Sequence, residues 1–310
     1  MIETRGTDGR PGALERPGHL EVDPETFRAN FNRWPFMVRH HLADHPLFTL
    51  RRLVALAHSL PADHVKYNAG DVTVDQGLYQ GPQTGLSIQE SIRRIEECNS
   101  WMALRWIEKD PAYRELLHQC LDEIQCFSEP LDPGMCRREG FIFISSPSAI
   151  TPYHMDPEYN FLLQIRGQKT LHLFDGSDRS ILSEQELEVN ADAYGKLPFK
   201  EEYQQKATAI ELVPGIGLHI PVRTPHWVKN GDGVSISFSI TFRTDGSERQ
   251  SVVYSANARL RKLGLSPTPF GHSSLRDSAK YQAYRVCRRA SRVLNYLRSR
   301  PAPDNHGTNQ

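Results

Sequence analysis

The most constraining feature of this chain is a change of texture near Cys136. From there to Phe242 apolar residues stop recurring at helical spacing. They come instead in short runs of β-branched and aromatic residues, GFIFISS, NFLLQI, KTLHLF, TAIELV, GLHIPV and VSISFSITF, broken by Gly, Pro, Asn and Asp. Runs this short and closely spaced predict a β-sandwich or barrel. No alternation of strand with helix and no Gly-rich phosphate loop accompanies them, which argues against a nucleotide-binding α/β fold.

The flanks read differently. Residues 24–31, 50–60, 88–98 and 111–127 predict amphipathic helices, the last with proline in its first turn. Short β-type segments at 64–67 and 101–107 interrupt them and suit strands of a sheet completed later in the chain. After residue 245 helix returns, most clearly over 278–298. There Tyr281, Tyr284, Cys287, Ala290, Leu294 and Leu297 make one apolar stripe on an Arg-rich helix. The expected organisation is a structureless segment 1–20, a helical section 21–130 packed on the barrel, a β-core at 131–245, C-terminal helices at 246–299 that suit a homodimer, and a structureless end at 300–310. The fold class is mainly β with flanking helices.

Charge narrows the partners. Lys+Arg and Asp+Glu balance at 37 each, yet residues 246–310 hold twelve of the basic and three of the acidic residues, leaving 25 against 34 in residues 1–245. An acidic body thus carries a basic tail. One Arg-rich helix without base-reading signatures reads as a solvated or oligomer-forming face, so nucleic acid is not an expected partner. No apolar run approaches the roughly 20 residues of a membrane helix, and the N-terminus lacks a signal-peptide core, so a cytoplasmic protein with no membrane partner is expected. The five cysteines are odd in number and contain no Cys-x-x-Cys, which points to reduced thiols rather than a disulfide framework or thiolate zinc site. The stretch 175–203, with Glu184, Glu186, Glu188 and Asp192, is acidic and reads equally as part of a site's mouth or as a solvated insertion.

The chemistry concentrates in AITPYHMDPEYNFLLQIRGQKTLHLF, residues 149–174. His154 and Asp156 are one residue apart, so in extended backbone both side chains share a face and can grip one metal ion. His-x-Asp alone is weak, since a turn with a surface histidine produces it as often. A third ligand comes from GLHIPVRTPHWVKNGDG, where His226 is preferred over the rival His219 because Pro221 and Pro225 stiffen its approach. Two histidines and one carboxylate occupy one octahedral face and leave three positions open, which suits Fe(II) that must take a bidentate cosubstrate and then O2. A structural zinc site would be closed by four ligands. Lys169 opens a strand and, if buried, needs an anionic partner such as a dicarboxylic cosubstrate. On the final strand Ser235, Ser237, Ser239 and Thr241 alternate with apolar residues, so a hydroxyl row is expected to face the metal cavity, with Ser237 and Ser239 near the cosubstrate.

These residues resemble the JmjC and cupin-like branch of the Fe(II)/2-oxoglutarate-dependent oxygenases, and within it the asparaginyl hydroxylases that inhibit the hypoxia-inducible factor. The likeness is densest over 151–174 and resumes over 214–242. It implies a double-stranded β-helix (jelly-roll) core, His154, Asp156 and His226 as iron ligands, Thr151 and Lys169 on the distal carboxylate of 2-oxoglutarate, and Asn160 in the same pocket. It further implies hydroxylation of a protein side chain or small molecule, with Fe(II), 2-oxoglutarate and O2 as cofactors. Where that hydroxylase has asparagine and tryptophan on its last core strand, this chain has Ser239 and Thr241, so substrate contacts do not transfer. The readings it must beat are a non-oxidative cupin, whether a metal-dependent isomerase or a ligand-binding module, and a nucleic-acid-binding regulator with a vestigial barrel.

Overall fold

The computed structural model describes residues 18–192 and 197–298, with side chains described as far as residue 289. The front section begins with a short strand β1 (Leu20–Glu21) and helix α1 (Pro24–Asn30), whose N-cap Asp23 accepts from the Thr26 amide at 2.8 Å. It continues through β2 (Phe36–His40), α2 (Leu50–Ser59), β3 (Val65–Ala69), α3 (Ile88–Arg93), β4 (Ser100–Arg105) and α4 (Pro111–Ser128). Helix α4 starts where Asp110 caps it and Pro111 fills the first turn. The expected helix over 88–98 ends at Arg93, and turns occupy the rest of that stretch. Of the expected structureless segment, residues 19 and 20 are held in place, since Glu123 on α4 accepts from the amides of His19 and Leu20 at 2.8 Å each. Residues 1–17 and 299–310 lie outside the described residues.

The β-rich part supplies β5 (Cys136–Ser145), β6 (Ile150–His154), β7 (Tyr159–Arg166), β8 (Lys169–Leu173), helix α5 (Glu184–Val189), β9 (Thr208–Leu212), β10 (Ile216–Ile220), β11 (His226–Asn230) and β12 (Ser235–Arg243). Two helices follow, α6 (Asp245–Lys262) and α7 (Ser274–Arg298). The strands form a large sheet in the order β1-β2-β10-β7-β12-β5-β4-β3 and a small one in the order β6-β11-β8-β9, with antiparallel pairing throughout. This is the jelly-roll core expected from the sequence. The front section does more than pack on it, since β1 and β2 extend one edge of the large sheet and β3 and β4 the other. Both edges are thereby moved away from the strands that build the site.

The two sheets pack through Leu162, Leu218 and Ile220 on one side and Leu171, Leu173, Leu212 and Val228 on the other. The large sheet's other face is covered by helices α1, α2 and α4, where Phe27, Leu53, Leu56, Tyr113, Leu117 and Leu121 meet Ile236, Phe238, Ile240 and Phe242 of β12. Each such fully buried side chain contributes about 1.5–3 kcal/mol. Strand β12 is therefore buried on both faces, its apolar row under the helices and its hydroxyl row between the sheets.

The acidic insertion and the basic tail meet. Glu188 of α5 is 1% exposed and accepts from Arg261 of α6 at 2.5 Å, while Asp192 pairs with Arg243 at 2.8 Å. On α7, Tyr281 and Tyr284 lie under Arg249 and Arg259 of α6 at 5.3 and 4.7 Å. The start of the apolar stripe thus packs within the chain, Cys287 is exposed, and Ala290, Leu294 and Leu297 have side chains outside those described. No helix among the described residues is long and apolar enough to cross a membrane.

Candidate metal centre and its cavity

Strand pairing brings the three candidate ligands together. β6 and β11 run antiparallel with His226 directly opposite His154, so the two imidazoles sit side by side with ring centroids 4.3 Å apart. Asp156 follows β6 in a loop tied down by the Arg223 amide, which donates to the Asp156 carbonyl at 2.8 Å. The ligand atoms of His154, Asp156 and His226 lie within 4.8 Å of one another, and all three residues are buried.

Hydrogen bonds fix how each ligand is presented. The Nδ1 atoms of His154 and His226 lie 2.7 and 2.9 Å from the carbonyls of Pro152 and Thr224. A carbonyl only accepts, so both Nδ1 atoms carry the proton and both Nε2 atoms keep a free lone pair for a metal. Burial, reinforced by His226, pushes His154 down to about 4, which keeps its ring neutral near pH 7. Asp156 Oδ1 stands 3.7 Å from His154 Nε2, while its Oδ2 accepts from Asn160 Nδ2 at 3.0 Å. Asn160 is oriented in turn by Ser239, whose hydroxyl donates to Asn160 Oδ1 at 2.8 Å. A relay from β12 through β7 thus aims one carboxylate oxygen at the histidines. The donor set of two neutral imidazoles and one carboxylate fits a divalent transition metal, with a face left over for other ligands.

The cavity beside the triad is lined by Thr151, Asn160, Lys169, Ser239 and Thr241, by Glu158, and by an apolar wall that includes Tyr79, Trp101, Phe141 and Phe143. Lys169 is 4% exposed, and among the described residues no carboxylate lies within ion-pair distance of it. Burial alone pushes its ammonium down to about 7, the sign of a cation placed without a protein counter-ion. Trp101 of β4 donates through Nε1 to Thr151 Oγ1 at 2.8 Å, which leaves the threonine hydroxyl proton free to point into the cavity. This geometry fits an anion held by Lys169 and Thr151 next to a metal.

Other residues fall elsewhere. Ser237 does not line the cavity, because its hydroxyl donates to Gln164 Oε1 at 2.6 Å, and Ser235 accepts from Gln164 Nε2 at 3.0 Å. The hydroxyl row is inward along its length, but glutamine of β7 covers its first half. His219, the rival ligand, is fully buried among Phe31, Phe36 and Phe161 with ring centroids 5.3, 4.8 and 4.6 Å away, and neither ring nitrogen meets a well-formed hydrogen-bond partner among the described residues. Alternation along β10 turns it to the helix-covered face, away from the triad. No described residue of the acidic insertion lines the cavity.

Sequence reasoning missed Tyr79, Trp101 and Glu158. The first two come from the front section, Trp101 on β4 and Tyr79 in the loop after β3, which reach the cavity only through the sheet. Glu158 stands inside the His-x-Asp segment and shares the inward parity of Asn160, a signal that alternation could have supplied.

A model of the cupin-like domain matches residues 90–248. Among curated proteins, lysine-specific demethylase 8 of Xenopus tropicalis is 27% identical over 133 residues, covering 40% of this chain and 28% of that protein. The chain therefore spans little more than a quarter of the length of that relative. Among solved structures, the X-ray structure of ycfD from E. coli aligns with a TM-score of 0.50 at 15% identity, covering 86% of this chain and 67% of that one. A second structure of the same E. coli protein, described as the ribosomal oxygenase YcfD, aligns at 0.48 with 16% identity over 86% and 66% of the two chains. At these identities the structural likeness concerns the fold.

Proposed function

The chain belongs to the cupin-like family, and from that premise we propose that it is an Fe(II)- and 2-oxoglutarate-dependent oxygenase that hydroxylates a C–H bond of a protein side chain or small molecule. One observation carries the reading: a buried ammonium with no carboxylate partner shares a cavity with an open two-histidine, one-carboxylate triad. A triad alone suits many metalloproteins. A triad with an unpaired cation in its cavity suits a metal that works with a dianionic cosubstrate.

His154, Asp156 and His226 would hold the iron. Lys169 and Thr151 would hold the far carboxylate of 2-oxoglutarate, and that charge-assisted contact sets the angle at which its 2-oxo acid end meets the triad. When bound, iron and 2-oxoglutarate supply oxidation of an unactivated C–H bond, with O2 consumed and succinate and CO2 released. The chain's own part is geometric and electrostatic. Asn160 and Ser239 orient Asp156, and the Trp101, Phe141 and Phe143 rings keep bulk water out. The curated relative's name, a demethylase, supports placing this chain among enzymes. Five free thiols, Cys126 and Cys287 exposed, support a reducing, cytoplasmic setting.

The test is untargeted. Protein loaded with Fe(II) and given 2-oxoglutarate should form succinate, and adding a host lysate should raise that rate and add one oxygen to a protein or metabolite found by mass spectrometry. His154→Ala should abolish both signals. Equal succinate formation by the variant and the parent would overturn the reading.

A further inference from the structure

Among the described residues Glu158 is the one carboxylate in the cavity lining besides the candidate ligand Asp156, and the function above gives it no task. It is 4% exposed. Its Oε1 accepts from Arg243 Nη2 at 3.0 Å, so the side chain is held in one position, while Oε2 has no hydrogen-bond partner among the described residues. An orphan carboxylate oxygen at that depth costs on the order of 1–3 kcal/mol, more where the group is charged. A buried carboxylate oxygen left unpaired calls for an explanation, and a ligand that completes it supplies one.

Its place in the cavity separates it from the cosubstrate. Glu158 immediately precedes β7 and Lys169 follows the turn after β7, so the two enter from opposite ends of that strand. The candidate ligand Asp156 and its partner Asn160 flank Glu158 in sequence. The order through the cavity is Lys169, then the triad, then Glu158. A cosubstrate anchored on Lys169 reaches the triad from the far side and leaves Glu158 facing the space in which the molecule to be oxidised must lie. Tyr79 borders that space, while Trp101, its ring 5.6 Å from that of Tyr79, is tied to Thr151 toward the cosubstrate end. Arg105 stands over the Tyr79 ring at 5.4 Å but does not line the cavity. An aromatic ring beside a fixed carboxylate oxygen favours a cation carrying N–H donors.

Resting on the oxygenase reading, we propose that Glu158 is a specificity-determining residue, its free Oε2 accepting a hydrogen bond from a cationic nitrogen group, an ammonium or guanidinium, of the substrate. Arg243 acts as the positioning residue behind it. A carboxamide substrate would offer a weaker neutral donor, and an aliphatic one would leave Oε2 unpaired in a closed site.

Fixed-centre peptide pools test this without knowing the substrate. Each pool holds randomised flanks around one central residue, Arg, Lys, Gln, Leu or Asp, and is equilibrated with immobilised Mn(II)-loaded protein before the bound fraction is read by mass spectrometry. Retention of the Arg or Lys pool should exceed the Gln and Leu pools by about tenfold to a hundredfold. Glu158→Gln, which keeps an acceptor for Arg243 and turns a donor toward the cavity, should erase that preference while Mn(II) binding stays at the parental value. The same pools with Fe(II) and 2-oxoglutarate report oxygen addition. Selective retention that follows Glu158 without any succinate would sink the oxygenase reading and leave the cation site standing. Equal retention of Gln and Arg pools, no retention of any pool, or an unchanged preference in Glu158→Gln would overturn the proposal.

Discussion

The two ends of the cavity handle a buried cation in opposite ways. At one end Lys169 stands without a carboxylate partner and burial drives its ammonium down to about 7. At the other, Arg243 is also buried, yet it reaches Glu158 at 3.0 Å, Asp192 at 2.8 Å and Glu248 at 3.0 Å. Burial opposes its charge, but Glu158 and Asp192 more than offset that, and its guanidinium is held above its ordinary range. A cation with its own carboxylates binds together the β7 entrance, the acidic insertion and α6. A cation without them is an incomplete site. The same fold thus distinguishes a structural charge from a ligand-binding one by whether the chain supplies the counter-ion.

That contrast breaks most visibly in stability. Arg243→Met strands Glu158, the most buried of its three carboxylates, and is expected to cost about 3–5 kcal/mol in urea denaturation, because the loss leaves an uncompensated buried charge. Lys169→Met removes a charge that has no partner, so the metal-free protein should be as stable as the parent or more so. Its cosubstrate affinity should fall by about a hundredfold, read as lost thermal stabilisation by 2-oxoglutarate in the Mn(II)-loaded protein. Equal stability losses in the two variants would erase the distinction.

Acid–base titration sharpens it. Lys169 binds its proton more weakly when folded, about 7 against a usual 10.5. Between those values the unfolded chain holds the extra proton, so stability of the metal-free protein should rise with pH from 7 to about 10.5. The gain should be of the order of a few kcal/mol, and Lys169→Met should flatten that part of the curve. Bound 2-oxoglutarate should flatten it too, since a dianion restores the ammonium.

The relay onto Asp156 gives a smaller effect. Asn160→Ala removes the donor to Oδ2 and frees the carboxylate to rotate, with an expected loss of 10- to 100-fold in metal affinity, measured by Mn(II) titration. Ser239→Ala acts through Asn160 and should cost less. The smallest effect expected is His219→Phe. Both ring nitrogens of His219 are unpartnered among aromatic neighbours, so removing them should leave metal binding untouched and shift stability by no more than about 1 kcal/mol, in the stabilising direction. A loss of Mn(II) binding there would return His219 to the ligand set.

Much of this was legible before any coordinates. Alternation located the strands that carry and frame the site, helical spacing placed α1 and α4, the latter with its first-turn proline, and His-x-Asp with a distant Pro-His named the three residues that β6 and β11 bring together. What local pattern missed has a common cause. Ser237 has the same parity as Ser239, yet Gln164 of the neighbouring strand covers it. The acidic insertion read as a mouth or a solvated surface, but Arg261 and Arg243 neutralise Glu188 and Asp192. Trp101 and Tyr79 sit in a section whose helices dominate its pattern, and only the continuation of the sheet through β4 brings them to the cavity.

The division is physical. Side-chain alternation, turn residues and the spacing of His154 and Asp156 are properties of a few neighbouring positions, so the amino-acid order alone determined the β-core, its flanking helices and the first two ligands. Register between strands distant in sequence depends on how whole sheets bury their apolar faces, and only the tertiary structure set His226 opposite His154 and turned His219 away. The same packing gave Arg243 three carboxylates and Lys169 none. Whether a buried charge is paired depends on everything packed around it, and no window of sequence contains that.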